Sequence, residues 1–306
     1  MVSIVIPTYN AIQHIELLIN KLREQTLRHE LIIIDSSSTD GTAEIAKHSG
    51  ARFYQIIPSE FNHGRTRNMG LKLANNNIVG FLTQDALPVD TNSLEKLVYP
   101  LETIDGCVMA YGRQLPYPSA SVLSQFARIT NYPAQSRIKS FQDIDKLGIK
   151  TCHCSNSFAA YNKAELLRIG GFPTDTILGE DVTVAAKFII EGQSLAYCAE
   201  AQVYHSHDYT ICEESERYFD IGVFHHQQRA VLKPFTRAES EGLKYIRGEW
   251  QYLINQGYYG LLPEQFIRTA AKYFGYKLGR LHEHLPNRLK KKISMHRQFW
   301  EELTAE

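Results

Sequence analysis

The chain lacks what would tie it to a membrane core, a disulfide scaffold or a common nucleotide fingerprint. No stretch approaches the roughly 20 consecutive apolar residues that a membrane span needs. The opening MVSIVIPTYN has no basic leader, and its apolar run is too short for a signal peptide. Cysteine is scarce: Cys107, Cys152, Cys154, Cys198 and Cys212 are odd in number and form no regular framework. That pattern implies free thiols in a reducing compartment, so the expectation is a cytoplasmic protein. Charge of one sign is not in excess either. Lys and Arg total 33 and Asp and Glu total 33, which gives no electrostatic reason to expect a nucleic-acid partner. No GxGxxG follows the first apolar run and no GxxxxGK[ST] occurs, which removes the usual dinucleotide and P-loop signatures.

What is present is 306 residues, enough to bury one large core or a core with a smaller second unit. The first third alternates between two periods. VSIVI (2–6), ELIIID (30–35), ARFYQII (51–57) and 78–83 read as strands. Between them, Ile12, Ile15, Ile19 and Leu22 recur at helical spacing. GTAEIAKH reads as a helix capped by Thr39 or Asp40, and a further helix is expected from about His63 to Asn75. Continuous apolar strands separated by helices predict an α/β fold with a mostly parallel sheet covered on both faces. After Gly106 come strands at GCVMAYGRQ, SNSFAAYN and SLAYCAEAQVYH, with helices at KAELLRIGGF and EDVTVAAKFIIEG. Residues 114–150 read as long loops with short helices, and from about Glu213 the chain reads as nearly all helix.

Ligands of an open parallel sheet bind outside the carboxyl ends of its strands. Three strands here end in polar residues: Pro7-Thr8-Tyr9-Asn10, Asp35-Ser36-Ser37-Ser38 and Thr83-Gln84-Asp85. The stretch FNHGRTRNMG (61–70) opens a helix carrying Arg65 and Arg67, a start suited to a diphosphate. A solvated basic face is the plain alternative. Asp85 could hold a hard divalent cation if substrate phosphates supply further oxygens.

SIVIPTYN, IIIDSSSTDGT, FNHGRTRNMG, FLTQDALP and GEDV together resemble family 2 glycosyltransferases with the GT-A fold. The resemblance covers roughly residues 1–230 and is nearest the bacterial rhamnosyltransferase-like branch, to which FNHGRTRN, TQDA and HSHDYT point. It implies a Rossmann-like, mostly parallel sheet with helices on both faces and a C-terminal helical extension. It also implies a division into 1–212, with a nucleotide-sugar half (1–110) and an acceptor half (111–212), followed by 213–306. In that family Thr8, Tyr9, Asn10 and Asp35 would cradle the nucleoside. Pro7, Ser37, Arg65, Arg67, Asn68 and Gln84 complete the expected donor set. Many members have a second acid after the second strand; Ser36 stands here instead. The family's Asp-x-Asp metal motif corresponds to Thr83-Gln84-Asp85, with only the last acid kept, for Mg²⁺ or Mn²⁺.

LGED (178–181) places Glu180 and Asp181 at a helix start, where acids also simply complement the helix dipole. The resemblance makes Asp181 the general base of an inverting transfer, with Glu180 orienting the acceptor or capping the helix. His205 and His207, two apart in VYHSHDYT, share one face of an extended segment. The resemblance implies that one of them reaches the metal or diphosphate, His205 being nearer the strand end. In CHCSN, His153 and Asn156 could face the acceptor, while Cys152 and Cys154 are either buried thiols or a zinc half-site beside the two histidines.

The tail (273–300) mixes Phe274, Tyr276 and Trp300 with Lys277, Arg280, Arg288, Lys290, Lys291, Lys292 and Arg297. It reads as a peripheral contact with the inner membrane face, suited to a lipid-linked saccharide acceptor, as an oligomer interface, or as a solvated helix pair. The expected activity is transfer of a deoxyhexose, L-rhamnose from dTDP-rhamnose, to a surface polysaccharide. Two alternatives stay open: a UDP-sugar-dependent hexosyl- or N-acetylhexosaminyltransferase, and a non-catalytic scaffold that binds a glycan or partner.

Overall fold

The computed structural model describes residues 1–235 and 238–302. Nine strands form one sheet: β1 (Val2–Thr8), β2 (His29–Asp35), β3 (Arg52–Gln55), β4 (Ile78–Leu82), β5 (Leu87–Pro88), β6 (Cys107–Leu115), β7 (Arg137–Lys139), β8 (Phe158–Asn162) and β9 (Ser194–Tyr204). Their order is β3-β2-β1-β4-β8-β6-β9-β5, with β7 added on β9. β3, β2, β1 and β4 are all parallel, as their continuous apolar runs and intervening helices require. Beyond β4 the directions mix. β8 runs antiparallel to both β4 and β6, while β9 is parallel to β6.

Side chains of β1 divide between the faces with period two. Ile4 and Ile6 join Leu18 and Leu22 of the helix Ile15–Arg23 and Leu94 and Leu97 of the helix Ser93–Thr103. Val5 points to the other side, into a core with Phe81, Tyr161, Phe172, Val184 and Phe188. The helix expected over 63–75 runs His63–Leu73. Within 114–150 the helix Val122–Asn131 forms, and so does β7, which is too short and too mixed in polarity to show a period of its own.

The long helix Ile211–Gln227 sends Phe219, Val223 and Phe224 into the same core as the sheet. Against it packs the helix Leu262–Arg280, where Gly279 lets the backbones approach so closely that a Cβ there would lie 2.0 Å from the Phe219 carbonyl oxygen. Two residues expected at a membrane surface are turned inward. Trp300 is 2% exposed, packed on Phe219 and beneath the Lys290 ammonium. The Tyr276 hydroxyl pairs with His225 Nδ1 at 3.0 Å. No helix among the described residues is long and apolar enough to cross a membrane.

Candidate active site

At the carboxyl end of β1, Thr8 donates its Oγ1 hydrogen to Asp35 Oδ1 at 2.9 Å. Ser38 donates to the same carboxylate twice, from its backbone N at 2.8 Å and from Oγ at 2.6 Å. Asp35 has no exposed surface, so it cannot touch a nucleoside as expected; it fastens the first two loops together. Asn10 and Ser37, the two non-glycine residues with positive φ among the described residues (46° and 57°), lie in these loops. Such strain persists only where surroundings over-determine it. Here Asn10 N donates to Ser38 Oγ at 2.8 Å, Asn10 Oδ1 accepts from Thr39 N at 3.0 Å, and Ser37 Oγ donates to the Ile56 carbonyl at 2.8 Å. Tyr9 N donates to Gln84 Oε1 at 2.8 Å and Gln84 Nε2 returns a bond to the Tyr9 carbonyl at 3.1 Å, which leaves the Tyr9 ring 53% exposed above the rim. Pro7 sits where the β1–β4 ladder has ended, its last pair being Val5 with Phe81.

Three residues past β4, Asp85 meets both histidines that follow β9. Its Oδ2 lies 3.5 Å from His205 Nε2 and 3.5 Å from His207 Nε2, and the two Nε2 atoms are 3.1 Å apart. Three potential ligand atoms thus lie within 4.8 Å of one another. The orientation of His205 is fixed from behind. Arg128 Nη1 can only donate, so the Gln114 atom 2.7 Å away is the amide oxygen. The same oxygen lies 2.9 Å from His205 Nδ1, which must therefore donate to it, leaving Nε2 for the cluster. Burial works to raise the Asp85 carboxyl, but the imidazoles outweigh it and hold the group well below the usual carboxylate range. Burial, reinforced by His205, brings His207 down to about 4.

The acids of the helix Glu180–Ile190 stand on the same rim. Gly179 starts this helix at φ 74°, and a Cβ there would lie 2.6 Å from the Phe224 ring. Asn156 clasps both acids: its backbone N donates to Asp181 Oδ2 at 2.9 Å and its Nδ2 to Glu180 Oε1 at 3.2 Å. Asn156 Oδ1 accepts from the Tyr161 hydroxyl at 2.7 Å. Two residues later β8 begins, with Phe158 opposite Leu82 at the end of β4, so Asn156 and Asp85 leave the same end of adjacent strands. Asp181 is half-buried; burial first, then the charge of Glu180, push its carboxyl up to about 6. A carboxylate poised there can take a proton near neutral pH.

Several expectations are corrected by these contacts. Arg67 is 5% exposed and its Nη1 lies 3.1 Å from Glu180 Oε1, so it neutralises that acid instead of clamping a diphosphate. Glu180 is turned inward to Arg67 and Asn156 and does not present itself to an acceptor. The start of the helix His63–Leu73 is closed: Asn62 Oδ1 accepts from Gly64 N and Arg65 N, and a Cβ on Gly64 would lie 1.9 Å from the Pro173 oxygen. Arg65 is exposed at the outside of this turn. Asn68 spends both ends of its amide on Phe172, donating to its carbonyl at 2.8 Å and accepting from its N at 2.9 Å. Asn156, 2% exposed, is the clasp described above and not an acceptor contact. His153 lies between the rings of Tyr111 and Tyr132, and burial brings it down to about 3. Cys152 and Cys154 are buried thiols, and among the described residues neither joins a metal-ligating group. Gln114 and Arg128 carried no sequence signal, because their role depends on which side chain they face.

The half-parallel sheet with the polar ends of its strands on one rim is the architecture of a GT-A-type fold. Residues 3–169 match the model for Glycosyl transferase family 2, and the chain belongs to that family. It is 41% identical over 303 residues to the O-antigen chain rhamnosyltransferase RfbN of Salmonella typhimurium, covering 98% of this chain and 96% of that protein. It is 42% identical over 301 residues to the O-antigen chain rhamnosyltransferase WbaN of Salmonella anatum, covering 97% and 95%. Among solved structures, the mannosyltransferase PcManGT of Pyrobaculum calidifontis, in complex with GDP-Man and Mn²⁺, superposes with a TM-score of 0.59 at 19% identity, over 99% of this chain and 86% of that one. That likeness supports the fold. The family and the two rhamnosyltransferase relatives displace the reading of a non-catalytic scaffold.

Proposed function

We propose that the protein transfers L-rhamnose from dTDP-rhamnose, with inversion, to a saccharide of a surface polysaccharide. The observation that carries this is the placement of Asp181, raised to about 6 and still reachable from solvent, on the rim that holds Asp85, His205 and His207. The rhamnosyl group and polysaccharide acceptor follow the names of the two Salmonella relatives.

Asp181 takes the proton of an acceptor hydroxyl as that oxygen attacks the anomeric carbon. Attack opposite the leaving nucleoside diphosphate inverts the configuration. Asn156 holds the carboxylate in place, and Arg67 keeps the neighbouring Glu180 ionised, so Glu180 lifts the basicity of Asp181. Tyr9 and Asn10 offer the exposed surface against which the nucleoside rests. The donor set fits a divalent cation: one carboxylate and two imidazoles, one of them pre-oriented by Gln114. Mixed nitrogen and oxygen ligands suit Mn²⁺ better than Mg²⁺, and the cation would offset charge on the leaving diphosphate. Residues 1–110 serve the donor and 111–212 the acceptor. The acceptor is lipid-linked and is met at the cytoplasmic face of the inner membrane.

The test is release of nucleoside diphosphate from a panel of dTDP- and UDP-sugars with Mn²⁺ or Mg²⁺ and acceptor. Turnover of dTDP-rhamnose that disappears in Asp181→Asn supports the reading. Turnover of UDP-hexoses alone overturns the donor, and an undiminished Asp181→Asn enzyme overturns the base.

A further inference from the structure

Under the proposed function, a donor diphosphate lies between Asp85, among the metal-ligand atoms, and Asp181, beside Asn156. Two carboxylates repel such a group unless cations face it. Two arginines close to the rim are spent inward. Arg67 pairs with Glu180 at 3.1 Å, and Arg128 Nη1 donates to the Gln114 amide oxygen at 2.7 Å.

Arg217 is placed differently. It stands in the second turn of the helix Ile211–Gln227, which leaves the rim soon after His205 and His207 and opens with a capping box of Thr210 and Glu213. Arg217 is exposed, and its guanidinium lies 5.6 Å over the Tyr209 ring, which in turn stacks on His207 at 5.3 Å. Asp220 follows one turn later on the same side of the helix. It holds His296, whose ring meets His63 at the start of the helix that carries Arg67. Arg217 thus stands between the Asp85–histidine cluster and the group of Arg67, Glu180 and Asp181. Burial chiefly lowers both His207 and His63, and the charge of Arg217 adds to it in each. Contact with a ring face orients a guanidinium without using its N–H groups. Among the described residues this one makes no hydrogen bond or ion pair. A planar fork of donors, oriented but unspent, matches two phosphate oxygens.

We propose that Arg217 is the clamp of the donor diphosphate, in the place that the sequence suggests for Arg67. It grips the phosphate bonded to the sugar. As the bond from the anomeric carbon to oxygen breaks, its electron pair stays on that phosphate, so Arg217 holds the leaving group more tightly in the transition state than in the ground state. The inference rests on the nucleotide-sugar reading above, but it does not depend on which sugar is carried.

The experiment is titration calorimetry of the full chain with dTDP, UDP and dTMP in the presence of Mn²⁺, on wild type, Arg217→Gln and Arg217→Lys. Loss of a two-pronged ionic hydrogen bond should weaken binding of the diphosphates by about 10–100-fold in Arg217→Gln and affect dTMP much less. Arg217→Lys should recover only part of the loss, because an ammonium has no fork. Circular dichroism and affinity for Mn²⁺ alone should stay those of the wild type, while kcat with the donor that turns over should fall in Arg217→Gln. Unchanged dTDP and UDP affinity in Arg217→Gln, an equal loss for dTMP, or a loss of Mn²⁺ affinity of the same size would each overturn the clamp. UDP binding that needs Arg217, without turnover of dTDP-rhamnose, would keep the clamp and remove only the rhamnosyl donor. Turnover of dTDP-rhamnose with a dTDP affinity indifferent to Arg217 would do the reverse.

Discussion

The imidazole of His296 stands edge-on to that of His63, with centroids 5.1 Å apart and planes at 90°. One residue follows the helix Asn287–Ile293 and the other opens the helix His63–Leu73 beside the candidate active-site rim. From His63 the path runs to Arg67 at 3.3 Å, from Arg67 to Glu180 at 3.1 Å, and through Asn156 to Asp181. At the other end, buried Asp220 accepts from Ser294 Oγ at 2.7 Å, Met295 N at 3.0 Å and His296 N at 3.1 Å.

Asp220→Ala removes the acceptor of three donors at once, one of them buried and two part-buried. Leaving a buried donor unpaired costs about 1–3 kcal/mol. For a chain of this size the expected result is a fall in Tm of several degrees. Because His296 then loses its anchor beside His63, kcat at 25 °C should also fall, while KM for the donor changes little. Differential scanning calorimetry and steady-state kinetics on one preparation check both. A lower Tm with unchanged kcat would confine the clamp to stability.

With Asp181 as the proposed base, its carboxyl should set the acidic limb of the pH profile. Its carboxyl is raised, so the active, ionised form is lost as pH falls through about 6 and gained above it. Activity should therefore rise with pH across that value. Asn156→Asp places a further negative charge against Glu180 and Asp181. That favours the protonated base and should move the limb to higher pH, by on the order of one unit. Loss of Asp181 as base, in Asp181→Asn, should cost on the order of 10²–10⁴ in kcat.

Much of this was legible from periodicity and motif. The parallel half of the sheet follows from apolar runs separated by helical spacing, and the polar ends of strands point to Asp85, His205 and His207, which do meet; the roles proposed for them and for Asp181 come from the family resemblance. What escaped was direction. Arg67 in FNHGRTRN looks like a diphosphate clamp because a guanidinium beside a helix start is generic; that Glu180, 113 positions later, lies 3.1 Å away is a tertiary fact. The same holds for Asn68 and Asn156, whose amides are consumed by Phe172 and by the acid pair. Trp300 misleads for a related reason: an aromatic among lysines reads as interfacial, yet its ring closes the core under Lys290.

Gln114 should matter to metal affinity although it is not a ligand. It fixes His205 through Nδ1 at 2.9 Å and is itself fixed by Arg128 at 2.7 Å. Partners behind a ligating histidine are worth about 10–100-fold in affinity. Gln114→Leu should weaken Mn²⁺ binding by that range, read by electron paramagnetic resonance of free Mn²⁺ without any sugar donor. Wild-type affinity in Gln114→Leu would show that Asp85, His205 and His207 do not hold the cation in this way.

The Arg67–Glu180 pair gives the sharpest separation of stability from catalysis. Both side chains are nearly buried, at 6% and 7% exposure, so each compensates a charge the other could not carry alone. Arg67→Met strands Glu180 and should cost about 3–5 kcal/mol, because breaking a buried pair leaves an unpaired charge. Removing both charges in Arg67→Met/Glu180→Gln should recover most of that loss. Catalysis should respond differently. Without Glu180 the charge that lifts Asp181 is gone, so the double variant should have its acidic limb below that of the wild type. A weaker base then accepts the acceptor's proton, and kcat should fall although the fold is restored. Urea denaturation with pH–rate profiles on the four proteins of the cycle decides the matter. A double variant with both wild-type stability and a wild-type profile would show that the pair has no part in tuning Asp181.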